Sequence, residues 1–331
     1  MVRLWTAFPF SNGHVHTVFP VLFRAQPDLD YERQRLDTSD GDFLDLDWSC
    51  GKSDRLVLIL HGLEGHSRRK YVLGMGRAAR AHGFDVLAMN FRGCGGEMNR
   101  KLTMYHSGLT QDLHEVLCMV QGQGRYASVD IVGFSLGGNV LLKYLGEDAA
   151  RVPGIVRRAV AFSVPCDLED AAEALARPQC AIYVRYLLDQ LRKKIREKNR
   201  LFSGALDVQG LDSIRTFREF DDRFTAPLHG FRNARDYWRR CSCRQFLSGI
   251  DRRTCIINAA NDPFLGPKCF PRAEAAHHPC LQLFSPLTGG HVGFAGSGQN
   301  GMYWSEWAAM RFLCSHEDLD VQNLLAAETV V

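Results

Sequence analysis

The chain predicts an α/β fold: a mostly parallel sheet with helices on both faces, opened by an antiparallel hairpin and interrupted by a helical insertion. Three observations carry that expectation. Short apolar runs that stop at glycine alternate with stretches of helical spacing. An Asp40-Gly41 turn joins two strand-like segments near the start. From about Cys166 to His229 the alternation lapses into charge-rich helical sequence with no buried-strand run.

The elements follow in order. "DYERQRLDTSDGDFLDLDWS" reads as the hairpin. "RLVLILHG" is a continuous apolar run, as expected for a strand buried on both faces. "RRKYVLGMGRAARAHG" has helical spacing and ends at Gly83, a residue type that closes helices. "FDVLAMNFRG" is the next strand, "SGLTQDLHEVLCMVQGQG" a helix, "SVDIVGFS" a strand, "LGGNVLLKYLGE" a helix and "VRRAVAFSVP" a strand. After the insertion the rhythm resumes with helix "ARDYWRRCSCRQFL", strand "RTCIINAA", helix "PRAEAAHH", strand "CLQLFSP" and a last helix, "MYWSEWAAMRFLCS". The expectation is one domain over 1–331, with a helical cap at 166–229 set over the carboxyl edge of the sheet, where open α/β sheets bind ligands.

Bulk composition narrows the function. The 331 residues and 46% hydrophobic content suit one large core. A net charge of +3 gives no global attraction to nucleic acid or to a membrane surface. No run approaches the roughly 20 apolar residues of a membrane span. The N-terminal stretch lacks the continuous apolar core of a signal peptide, so a cytoplasmic protein is expected. The eleven scattered cysteines fit free thiols in a reducing compartment. Cys241 and Cys243 are spaced too closely for a zinc pair, and His14 and His16 have no third ligand at readable spacing. "CGKS" lacks the earlier glycine of a phosphate loop, and "GFSLGG" lacks the dinucleotide-binding spacing. No cofactor and no metal are expected. The basic run "LRKKIREKNR" is expected to be a solvated face, so membrane contact is not predicted.

The chemistry sits in the turns. Gly133-Phe134-Ser135-Leu136-Gly137 is a G-x-S-x-G pattern between a strand and a helix. The sharp turn holds the serine out as a nucleophile, and the glycines let strand and helix backbones approach. A serine hydroxyl needs a base, itself oriented by a third group. Asp262, just past the strand "RTCIINAA", is the expected acid, and His291, in the glycine-flanked loop after "CLQLFSP", the expected base. Asn261 carries no charge to hold an imidazolium, and Asp251 lies at the wrong end of its strand. His277 and His278 are expected at a helix end on the surface. His106 is expected to support the fold near the site. Two backbone N–H groups must stabilise the oxyanion: Leu136, after the nucleophile, and Leu63, in the loop after "LILHG".

Together, "LILHGLEG", "NFRGCGGEMNR", "YHSGLTQD", "GFSLGGN", "REFDDRFTAPLHGF", "NAANDPF" and "GGHVGF" resemble the YheT-like branch of the α/β-hydrolase superfamily. The likeness runs from "SNGHVHT" to the last helix. It implies an α/β-hydrolase fold and a carboxylesterase with a Ser-Asp-His triad, and it fits the roles given to Ser135, Asp262, His291, Leu63 and Leu136. The chain departs from the family pattern at His16, where glutamine is usual, and at Gly95 and Met98, where serine and proline are usual. The expected activity is cleavage of small-molecule carboxylic esters. Lipid-ester hydrolysis or acyl transfer is the alternative, and an inactive hydrolase-fold binding protein the second. Oligomeric state is not legible.

Overall fold

A computed structural model describes residues 3–298 and 301–315. Eight strands form one sheet: β1 (Glu32–Asp37), β2 (Phe43–Ser49), β3 (Arg55–Leu60), β4 (Asp85–Asn90), β5 (Ser128–Phe134), β6 (Val156–Phe162), β7 (Arg253–Ile257) and β8 (Leu281–Phe284). Their spatial order is β1-β2-β4-β3-β5-β6-β7-β8. β2 runs antiparallel to both β1 and β4, and every other pairing is parallel. β1 is an exposed edge. Its Arg33 and Arg35 stand directly opposite Asp47 and Asp45, and each arginine forms a two-pronged ion pair with its partner. Charges of this kind discourage edge-to-edge pairing.

The continuous apolar strands feed two cores. Leu56, Leu58 and Leu60 of β3 face one, and Val57 and Ile59 the other. The first is covered by α3 (Gln111–Gly122) and α4 (Leu136–Glu147). The second is covered by α2 (Lys70–Ala81) and α9 (Trp304–Cys314). Helices therefore coat both faces, the arrangement that such strands require.

Two elements depart from the sequence reading. An N-terminal helix, α1 (Gly13–Phe23), forms although Pro20 lies inside it. Its support is tertiary: the Gly290 and Gly293 backbones pack so closely on Gly13 and His16 that a side chain at either glycine would collide. The single helix expected over "ARDYWRRCSCRQFL" is split, with α7 (Ala234–Cys241) followed by a 3₁₀ turn at Cys243–Gly249. Asn139 bridges the break. Its amide donates to the Cys241 carbonyl (2.9 Å), and its oxygen accepts from Cys243 N–H (2.9 Å). A short α8 (Arg272–Ala276) precedes β8, with His277 just beyond it and exposed.

Between β6 and α7 the chain forms α5 (Leu168–Leu175), the long α6 (Ala181–Leu201) and a broken helical stretch over 217–228. Val184, Leu188, Leu191 and Ile195 of α6 pack with Leu211, Ile214, Phe220 and Phe224. The basic run on α6 is solvated only in part: Lys193, Arg196 and Arg200 are exposed, whereas Arg192 and Lys198 are buried. Arg192 reaches the Ile214 carbonyl, Lys194 pairs with Glu64 (3.0 Å), and Lys198 donates to the carbonyls of Asn99 (2.8 Å) and Lys101. Lys194 and Lys198 tie the insertion to the body, and Arg192 braces the insertion internally. Burial lowers the Lys198 ammonium to about 8.

Candidate active site

Ser135 sits on the turn from β5 into α4 with φ 52° and ψ −118°, a conformation unfavourable for a residue with a Cβ. Contacts hold it there. Ser135 N–H donates to the Phe162 carbonyl on β6 (2.8 Å). A side chain at Gly137 would lie 2.5 Å from the His61 carbonyl, and one at Gly133 would lie 2.8 Å from Gly138 Cα. Both glycines of the G-x-S-x-G pattern are thus required by close backbone approach.

The structure brings the three predicted side chains together. Ser135 Oγ lies 2.9 Å from His291 Nε2, and His291 Nδ1 lies 3.0 Å and 3.2 Å from the Asp262 carboxylate oxygens. The carboxylate is fully buried and also accepts from Phe264 N–H (2.9 Å). With Nδ1 facing a carboxylate, the imidazole carries its proton there, leaving Nε2 to accept from the serine hydroxyl. Asn261 orders the loop instead: its side chain joins the Ser11 carbonyl (3.1 Å) to Gly290 N–H (3.0 Å).

Residues that sequence reasoning passed over position the His291 loop. His291 N–H donates to Thr17 Oγ1 (2.9 Å) on α1, and Val292 N–H donates to Ser163 Oγ (2.9 Å). His16 bridges the Trp5 carbonyl (2.7 Å) and Ala295 N–H (3.2 Å). The Phe264 ring stacks on the His291 imidazole with centroids 4.0 Å apart and planes 15° from parallel. Tyr183 of α6 packs on Phe264, and His14 of α1 stacks on Tyr183. The "NDPF" stretch could have flagged Phe264. Nothing local marks Thr17 or Ser163.

The loop after β3 presents its amides unevenly. Gly62 N–H donates to the Tyr71 hydroxyl (2.9 Å) and Glu64 N–H to the Tyr105 hydroxyl (2.8 Å). Among the described residues no protein acceptor takes the N–H of Leu63 between them, or that of Leu136. Gly62 approaches so closely that a Cβ there would stand 3.2 Å from Ser135 Cβ. His61 braces the loop, with Nδ1 against the Gly62 carbonyl (2.8 Å) and Nε2 accepting from Phe91 N–H (3.1 Å). Burial holds its imidazole down to about 3, so it stays neutral.

A family model described as the alpha/beta hydrolase fold matches residues 55–296. "Putative esterase YheT" of Escherichia coli (strain K12) is 39% identical over 294 residues, 87% of this chain and 85% of that one. The chain is a YheT-like α/β-hydrolase. Phospholipase ABHD3 of Mus musculus is 28% identical over 288 residues, 84% of this chain and 70% of its own. The solved esterase Pf2001 of Pyrococcus furiosus superimposes with a TM-score of 0.54 at 18% identity, over 80% of this chain and 84% of that one, a likeness of fold.

In this hydrolase a cavity of about 700 Å³ opens beside Ser135 and His291. Leu63 and Leu136 line it, as does Tyr183 of α6. On the same helix Ile182, Tyr186, Leu187 and Leu191 line the cavity, while Leu188 and Ile195 turn into the insertion. His106 also lines the cavity, buried beside His229 (ring centroids 4.5 Å) and held well below its ordinary pKa by burial. None of His16, Gly95 and Met98, where the chain departs from its family's pattern, lines the cavity.

Proposed function

We propose that the protein hydrolyses carboxylic esters through an acyl-enzyme, with Ser135 as nucleophile, His291 as general base and acid, and Asp262 orienting the imidazole. The observation that carries this reading is the continuous Ser135–His291–Asp262 hydrogen-bond chain at the floor of an apolar cavity. Ser135 Oγ attacks the ester carbonyl as its proton passes to His291 Nε2. The tetrahedral oxyanion accepts from the N–H groups of Leu63 and Leu136. Collapse expels the alcohol, which takes the proton back from Nε2. Water, deprotonated by the same nitrogen, attacks the acyl-enzyme and releases the acid. The large apolar cavity and the phospholipase relative favour esters of lipid size, with the insertion acting as a lid.

Fluorophosphonate labelling tests the nucleophile. The wild-type protein should be labelled covalently. Ser135→Ala should be folded, unlabelled and slower on p-nitrophenyl esters by about 10⁴- to 10⁶-fold in kcat. Substantial labelling of the alanine variant would place the nucleophile elsewhere.

A further inference from the structure

Large apolar side chains face solvent on the two helices that border the cavity mouth. On the last turns of α1, Val21, Leu22 and Phe23 are 67%, 63% and 70% exposed. Across the opening on α6, Ile182 and Tyr186 are 72% and 50% exposed. Val21, Ile182 and Tyr186 also line the cavity, so these helices form two sides of a single opening. Isolated exposed apolar residues are ordinary, whereas a contiguous apolar rim marks a contact surface.

The same rim is cationic. Arg68, Arg69 and Lys70 follow one another at the start of α2 and line the mouth. Lys70 Nζ donates to the Val21 carbonyl (2.8 Å), and Arg69 reaches the Tyr186 hydroxyl (3.4 Å), so each cation is fixed beside an apolar rim residue. Arg68 is exposed, as is Arg185 beside Tyr186. The acids that line the cavity, Glu64 and Asp221, are both buried, and Glu64 is paired with Lys194.

We propose that this rim docks the protein onto an anionic lipid surface, with the C-terminal end of α1 and the N-terminal half of α6 entering the interface and Arg68, Arg69 and Lys70 meeting lipid phosphates. An apolar ring with flanking cations is the pattern by which proteins lie on a membrane without crossing it. The position of the opening selects this occupant. A protein seated on the rim would plug the cavity, whereas a lipid surface lets an acyl chain pass from one apolar medium to another without crossing water. The proposal rests on the cavity's being the ester-binding site, and the two readings are measured separately below.

Vesicle sedimentation tests it, with Ser135→Ala as background so that the lipid is not consumed. The probes are vesicles of phosphatidylcholine alone and of phosphatidylcholine mixed equally with phosphatidylglycerol. The protein should sediment with the mixed vesicles and more weakly with the neutral ones. Leu22→Asp with Phe23→Asp should weaken sedimentation on both by at least about tenfold, and Arg68→Glu should weaken it only on the mixed vesicles, by about fivefold or more. In the active background the Leu22/Phe23 double variant should hydrolyse p-nitrophenyl acetate at the wild-type rate, which reads the site independently of the surface. Absence of sedimentation, or sedimentation indifferent to the double variant, overturns the docking surface while leaving the ester-hydrolase reading intact. A dimer by light scattering that the double variant dissociates would make the rim a contact between copies, and would equally overturn it.

Discussion

The geometry around His291 gives each neighbour a separable task. In the proposed triad the Asp262 carboxylate, 3.0 Å from Nδ1, fixes the imidazole tautomer by accepting from Nδ1–H. Asp262→Asn should therefore keep the fold and lower kcat by roughly 10⁴-fold, because the amide permits the wrong tautomer. A loss under about tenfold would mean that another carboxylate orients the ring. Phe264 acts differently: its ring lies flat on the imidazole and lines the cavity beside it. Phe264→Ala should lower kcat about tenfold by letting the ring wander from the serine. Fluorophosphonate labelling should continue at a reduced rate, with KM little changed. A change confined to KM would make Phe264 a wall of the pocket only. Ser135, Asp262 and His291 were all legible in the sequence because their residue types stand at strand ends in a known chain order. Phe264, Thr17 and Ser163 were not, because a phenylalanine, a threonine and a serine carry no signal until the fold sets them against His291.

At the scale of elements, α6 decides the shape of the cavity. One face packs inside the insertion, while Tyr186 and Leu187 look across the pocket. Each acyl methylene covered by them should contribute up to about 0.8 kcal/mol. Tyr186→Ala and Leu187→Ala should shift the preferred chain length in kcat/KM measured from acetate to dodecanoate esters, with stability changed little. Equal losses on every ester would reduce α6 to scaffold. The helix itself was readable from its periodicity, but its cations were not. Lys194 and Lys198 look like solvated charges in the sequence, yet both are consumed by the body's carboxylate and carbonyl groups. Periodicity reports which side chains share a face and says nothing of which face another element will cover. The same limit hid α1, whose internal Pro20 argues against a helix that packing against the Gly290–Gly293 backbone sustains.

The whole molecule carries a pH signature where the insertion meets α7. Asp221 is buried, accepts from the Thr225 hydroxyl (2.6 Å) and Trp238 Nε1–H (2.8 Å), and is pushed up to about 7, chiefly by burial. A carboxyl raised in the folded state holds a proton there that the unfolded chain releases near pH 4. Its contribution to stability is therefore fully present below about pH 4 and falls as pH rises toward 7. Asp221→Asn removes this dependence and can keep both partners, its oxygen accepting from Trp238 and its amide donating to Thr225. The stability of the variant minus that of the wild type, from urea unfolding, should grow by about 2 to 4 kcal/mol between pH 4 and pH 7 and then level off. A constant difference would mean that Asp221 stays ionised when folded.

The order of elements, the sheet with its opening hairpin, the helical interruption and the strand ends bearing serine, aspartate and histidine were determined by the sequence itself. Each is a local consequence of periodicity, turn residues and chain order. The tertiary structure alone decided that α1 crosses back to hold the His291 loop through Thr17 and His16, that Tyr71 and Tyr105 occupy the amides on either side of Leu63, and that apolar ends of α1 and α6 meet at the cavity mouth. These are contacts between segments far apart in the chain. A residue's neighbours along the sequence determine its local conformation, but the partner of a buried donor or an apolar face is chosen only when distant segments compete to cover it.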